Sequence, residues 1–156
     1  MRLLSVPKVL ALCGILAGSL SCDNYANPTG TLAVITVSVS PNPITATLYS
    51  TAGPTYTASW TTTMVESGGR GGTVQSIEGD IYDSVTGDLL GTTNYNSSNL
   101  LALFGTDRIN ALGSMSVPQQ ATYTLATGKA ALLTVTVKFI DDGGVFSQHS
   151  ELVQIQ

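Results

Sequence analysis

Two β-branched and aromatic runs, residues 130–140 and 145–155, flank Asp141-Asp-Gly-Gly144, and this end of the chain constrains its fold most tightly. Asp-Gly tolerates the positive φ values of a tight turn, so the runs predict an antiparallel β-hairpin. With Asp142 and Gly143 at the turn centre, Phe139 faces Phe146 and Leu133 faces Leu152, with Val135 and Val137 between them on the same side. That side is apolar enough to bury, while Thr134, Thr136 and Lys138 point the other way with Ser147, His149 and Glu151. Gln148 and Ser150 then fall on the apolar side, and Val153 and Ile155 change parity beyond Leu152; a bulge in the last strand is the expected cause.

The same period of two runs through the upstream chain. Ile35, Val37 and Val39 alternate with Thr36, Ser38 and Ser40, and Pro41-Asn-Pro43 stops this strand because proline brings no ladder donor. Residues 44–49 are expected to resume along the edge of the other sheet. The clearest alternation puts Tyr56, Ala58, Trp60, Thr62 and Met64 on one face, which makes Trp60, the single tryptophan, the natural core centre. Glu66-Ser-Gly-Gly-Arg-Gly-Gly72 reads as a flexible loop, followed by a strand over residues 73–83 with Ile77 and Ile81 inward and Glu78, Asp80 and Tyr82 outward. Ser84-Val-Thr-Gly87 turns the chain into residues 88–95. Residues 100–104 and 108–117 read as two short strands around Gly105-Thr-Asp107, and residues 118–129, with Tyr123, as a longer connection. About seven strands with turn signals roughly every ten residues predict an all-β fold, a single two-sheet antiparallel β-sandwich over residues 32–156.

The start of the chain is different. Arg2 and Lys8 precede a short apolar run, residues 9–20, and then Ser21-Cys22, the plan of an export signal; the run is shorter than the ~20 residues a membrane span needs. Ser19-Leu-Ser-Cys22 resembles the lipobox of bacterial lipoprotein precursors, with Ser19 where the commonest form has leucine. The resemblance implies a leader over residues 1–21, cleavage by signal peptidase II, lipid on the Cys22 thiol, and a membrane partner through that lipid. The alternative is an ordinary signal peptide cut a few residues further on. Residues 22–31 are rich in turn formers and read as a tether. Cys13 goes with the leader, leaving no pair for a disulfide. Asp23 resembles the inner-membrane retention signal of enteric lipoproteins, which other lineages do not obey, so either membrane fits.

Residues 32–155 in turn resemble the immunoglobulin-like and fibronectin type III-like sandwiches of bacterial envelope proteins. The strand count, the lone core Trp60 and the terminal Thr-Val-Thr-Val-Lys-Phe139 hairpin carry the likeness. The antibody-type cysteine pair is missing, and the tryptophan sits on the second strand instead of the third.

Charge narrows the partners. Charged residues are 10% of the chain, against about 25% in an average domain. Removing Arg2 and Lys8 from six basic residues leaves four against ten acidic ones, a net charge of −6, which disfavours nucleic acid. Gly68-Gly-Arg-Gly-Gly72 is a single Arg-Gly element and reads as a loop, and Gly128-Lys129 lacks the rest of a phosphate-binding loop. Glu78, Asp80, Asp83 and Asp88 offer oxygens to calcium without the spacing of a calcium loop, so a solvated strand face is expected and no metal. His149 is the sole histidine, which leaves zinc sites and Cys-His or Ser-His pairs short of members, so no enzyme and no cofactor is expected.

In an immunoglobulin-type sandwich three loops gather at one pole. Here they are residues 68–72, 105–107 and 141–144, which predicts Arg70 beside Asp107, Asp141 and Asp142 on mobile glycine-rich backbone. The expectation is a membrane-tethered, non-enzymatic envelope interaction or adhesion module that uses this pole on a protein or glycan partner. The alternatives are a purely structural envelope lipoprotein and a glycan-binding domain.

Overall fold

Threonine and serine alternate with apolar side chains along most of the chain, and the backbone follows that alternation. A computed structural model describes residues 31–51, 53–126 and 130–156; the expected leader, Cys22 and the expected tether up to residue 30 lie outside the described residues. The elements are β1 (Ile35–Ser40), β2 (Thr47–Ser50), β3 (Thr55–Glu66), β4 (Gly72–Asp83), β5 (Leu89–Asn96), α1 (Ser97–Phe104), β6 (Arg108–Ile109), β7 (Ser114–Thr124), β8 (Ala131–Asp141) and β9 (Phe146–Ile155). In one sheet β7 covers one edge of β3, and β1 and β2 share the other edge. In the second the order is β5-β4-β8-β9, with β6 on the first residues of β4. Every named pairing is antiparallel, and the two sheets form an all-β sandwich compatible with the immunoglobulin-like fold.

The prolines at 41 and 43 explain how the first strand changes sheets. The β1 ladder with β3 ends at Ser40, and the chain then runs beside β9, where Ile44 N–H donates to the Gln154 carbonyl and Gln156 N–H donates back to the Ile44 carbonyl, both at 2.9 Å. Residues 44–46 thus border the other sheet as the sequence predicts, but β2 returns to β3.

Ala58, Trp60, Thr62 and Met64 of β3 face inward against Ile77, Gly79 and Ile81 of β4 and Leu133, Val135, Val137 and Phe139 of β8, all buried. Trp60 meets Gly79 so closely that a Cβ there would lie 2.7 Å from the indole Cζ2. A buried polar group needs a partner, and one glutamine supplies several. Gln119 Oε1 accepts from Trp60 Nε1 (3.0 Å) and Thr62 Oγ1 (2.6 Å), while its Nε2 donates to Thr93 Oγ1 on β5 (3.1 Å), joining the sheets through the core.

Several expectations need correction. Residues 118–124 are not part of a connection but continue β7, and residues 108–117 are not one strand, since β6 ends at Ile109 and β7 starts at Ser114. Met115, Val117, Gln119, Ala121 and Tyr123 alternate inward along β7, and the proline at 118 is tolerated because β7 is an edge strand with one side unpaired. Residues 100–104 are not a strand but the end of α1. Asn96 caps this helix by accepting from Asn99 N–H (2.9 Å), Asn99 Oδ1 accepts from Asn96 N–H (3.1 Å), and Gly105 closes it at φ +74°. The capping box uses asparagine at both places, so the usual Glu/Gln signal is absent.

A further correction is the hairpin register. Phe139 pairs with Ser147, Ile140 with Phe146 and Leu133 with Val153, one residue beyond the expected pairing. The turn has three central residues instead of two: Gly144 takes φ +81° and donates to the Asp141 carbonyl (2.8 Å), and Asp141 N–H donates to the Val145 carbonyl (3.0 Å). A slip of one residue exchanges faces along the strand. Val153 and Ile155 are therefore buried with no bulge in β9, Phe146 and Leu152 point outward, and His149 lies beside Val137, half-buried, instead of outward beside Thr136.

The Gly79–Trp60 contact yields a direct test. Gly79→Ala should lower stability by ~1–3 kcal/mol, the usual cost of overpacking a filled core. A urea midpoint equal to that of the wild type would show that the indole has room to retreat.

Candidate functional site

β3 carries its inward parity one step beyond the expected strand, to Glu66, which is 1% exposed. A carboxylate without water must find donors nearby. Its Oε1 accepts from the N–H of Val34 (3.1 Å) and Gly68 (2.6 Å), and its Oε2 from Gly69 (3.0 Å) and Leu112 (2.7 Å). Burial pushes the Glu66 carboxyl up, but the four backbone N–H groups outweigh it and hold its pKa below the usual value. The sequence predicts a flexible segment after Glu66. Instead, Ser67 N–H donates to the Val34 carbonyl (3.0 Å), and Gly68 lies so close to the arm before β1 that a Cβ would collide with the Leu32 carbonyl oxygen. Gly71 and Gly72 likewise allow close approach, to the Ile109 and Ile140 carbonyl oxygens, and Gly69 takes φ +85°.

A second buried carboxylate ends β8. Asp141 is 4% exposed; its Oδ1 accepts from Gly143 and Val145 N–H, both at 2.8 Å, and its Oδ2 lies 3.4 Å from Arg70 Nη1. Burial raises its pKa, while the N–H groups of Val145 and Gly143, the Arg70 charge and the Ala33 N–H lower it, with a net result below the usual value. Beside it Arg108 Nη2 holds both oxygens of Asp142 (2.8 and 3.0 Å), an exposed pair worth at most about 1 kcal/mol. Asp142 N–H donates to the Gly71 carbonyl (2.9 Å). Asp107 accepts from the Ser97 hydroxyl, and its carbonyl accepts from Val74 N–H (2.8 Å).

The structure therefore brings Arg70, Asp107, Asp141 and Asp142 to one pole, with Arg70 on Asp141 and the exposed ion pair made by Arg108. Glu66 and Arg108 were missed. Continuing the even-numbered face of β3 past Met64 would have found Glu66, whereas the Arg108–Asp142 contact required the register of β6 on β4.

The other candidates have local roles. Asp83 Oδ1 accepts from Val85 N–H (2.7 Å) and Asp88 Oδ2 from the Thr86 hydroxyl (2.8 Å), which builds the β4–β5 turn. Asp80 lies 3.4 Å from the Tyr82 hydroxyl, and its charge, with burial and the Glu78 charge, raises the phenol's pKa. Among the described residues no three of His, Cys, Asp and Glu gather to hold an ion. His149 Nε2 is 3.2 Å from the Ser147 hydroxyl. An open cleft of about 470 Å³ runs past Ser40, Pro41, Ser59, Thr61 and Gln120 beside Trp60, but the indole itself is 3% exposed and is no stacking platform. Cys22 lies outside the described residues.

No protein family matches the chain, and no curated protein does. Solved structures do share its architecture. A Northeast Structural Genomics Consortium target solved by X-ray crystallography superposes with a TM-score of 0.55 at 10% identity, covering 78% of this chain and 84% of its own. A Bordetella pertussis protein designated ApaA gives a TM-score of 0.54 at 13% identity, covering 80% of this chain and 95% of its own. At such identities the likeness is one of fold alone.

Both buried carboxyls titrate lower in the folded chain than in the unfolded one, so the unfolded chain binds more protons in acid. Their stabilisation is complete above the ordinary values of 4.5 and 3.8 and is lost as pH falls through the folded values. The urea midpoint should hold level from neutrality down to about pH 5 and drop below about pH 4, less steeply in Asp141→Asn. Glu66→Gln at pH 7 should cost ~2–4 kcal/mol, because buried N–H groups lose their acceptor. A Glu66→Gln protein as stable as the wild type would mean that water reaches those amides.

Proposed function

We propose that this chain is a membrane-tethered, non-enzymatic interaction module of a bacterial envelope, exported by residues 1–21, lipid-anchored at Cys22, and acting through the loop pole of its sandwich. The observation that carries the reading is the construction of that pole. Glu66 and Asp141 hold the arm before β1, the β3–β4 loop, the β6–β7 turn and the β8–β9 turn in fixed relation, and leave Asp142 and Arg108 displayed. Pinned loops on a rigid sandwich suit recognition, since little order has to be gained on binding. The Ser19-Leu-Ser-Cys22 run supports the anchor. Among the other readings, the burial of Trp60 favours a structural envelope role over glycan binding.

Two measurements test this. Intact mass of the membrane-extracted protein should show a chain beginning at Cys22 with acyl mass, and Cys22→Ala should move it out of the membrane fraction; an unmodified membrane-extracted chain would overturn the anchor. A photo-crosslinking residue at Asp142 should capture a component of the envelope, protein or lipid, that the same residue at Val85, on the β4–β5 turn at the other end, does not. Equal capture from both ends would count against the pole.

A further inference from the structure

The two buried carboxylates also gather apolar side chains at the surface. Val34 and Leu112 are both bonded to Glu66, and Ala33 and Val145 both to Asp141, so their backbones lie around two shared acceptors. The side chains next to these bonds point to solvent: Leu112 is 72% exposed, Leu32 59%, Phe146 55%, Val34 52% and Val145 46%. Exposed apolar residues also occur at the opposite end, as Tyr49, Val85 and Leu89, so exposure alone does not choose between the two ends.

The charges among them are already matched. Arg70 lies on Asp141, Arg108 on Asp142, the Ser97 hydroxyl on Asp107, and four backbone N–H groups on Glu66. Moving such an end toward a less polar medium costs less than moving unpaired ions.

The length of chain outside the described residues selects the occupant. Eight residues separate Cys22 from Thr31, which gives a reach of about 30 Å at most, with ~3.3–3.6 Å per residue. β3 and β4 each run twelve residues from one end of the sandwich to the other, or ~40 Å at about 3.3 Å per residue. Because the arm before β1 is fixed at the loop pole, a bilayer holding Cys22 is within reach of that pole. The exposed Tyr49, Val85 and Leu89 at the opposite end stay beyond it.

We propose that the loop pole docks on the surface of the bilayer that anchors Cys22, with Leu32, Val34, Leu112, Val145 and Phe146 as its apolar contact. The proposal rests on the lipoprotein reading above and names the lipid surface as the pole's partner. An acidic domain has no attraction to anionic headgroups, so the contact is apolar, forms on zwitterionic lipid and is insensitive to salt.

The test uses the full chain matured in cells, with intact mass recorded, and placed in phosphatidylcholine vesicles carrying brominated acyl chains. Leu112→Cys and Val85→Cys are each labelled with an environment-sensitive fluorophore, the Cys22 thiol being occupied by lipid. The fluorophore at position 112 should be quenched several-fold more than at position 85, equally at low and high salt. Val145→Cys repeats the measurement at a position whose φ is ordinary, since Leu112 adopts φ +56°. Acyl mass with equal quenching at both ends, or shielding of positions 112 and 145 by an envelope protein without quenching, overturns the docking and leaves the lipoprotein reading standing. A mature chain without acyl mass overturns both.

Discussion

Glu66 is the point on which the end of this sandwich turns. A strand that alternates strictly must place every second residue in the interior, and here that residue is charged. The charge is tolerated because four backbone N–H groups from three separate segments converge on it. These hydrogen bonds offset the cost of burying one carboxylate, and by making them the arm before β1, the β3–β4 loop and the β6–β7 turn are positioned together. Asp141 repeats the arrangement from the other sheet and shares the arm at Ala33. The arm before β1 is thereby fastened to both sheets.

The interior has a second polar device with a different purpose. Gln119 joins Trp60 and Thr62 of one sheet to Thr93 of the other, with every buried polar side-chain atom among the described residues partnered. An indole that donates to a buried amide and packs against Gly79 has a fixed orientation, which sets the spacing of the sheets at their centre. This is why Trp60 belongs to the fold and not to a ligand platform. The crossing of the chain at Pro41 and Pro43 closes part of the gap between the sheets, since residues 44–46 cover the outer edge of β9 at its end.

A shared architecture with uncharacterised genomics targets and with ApaA places the chain in a common fold and says little of its task. What distinguishes this chain is its loop pole. Glu66 and Asp141 hold loops in place, Gly68 and Gly72 allow backbones to approach, and Leu112, Val145 and Phe146 are exposed along with the Arg108–Asp142 ion pair.

Local chemistry alone determined a good part of this protein. Period-two alternation made the inward faces of β3, β4 and β8 legible, prolines marked where β1 ends, and glycine with aspartate marked the loops that meet at the pole. What depended on tertiary context was parity, edge position and partner. The hairpin register hung on whether Gly143 or Gly144 takes the positive φ, a choice settled by Asp141 accepting from Val145 and Gly143 across the turn, and it decided the facing of Phe146, His149, Leu152, Val153 and Ile155. Pro118 read as a break until β7 proved to be an edge. α1 was hidden because Leu100, Leu101, Leu103 and Phe104 suit a strand as well as a helix, and only the asparagine cap and the Phe104–Tyr95 packing favour the helix. Alternation records which side of a strand is dry; which backbone amides a buried carboxylate will find depends on segments far apart in the chain, and only the folded structure brings them together.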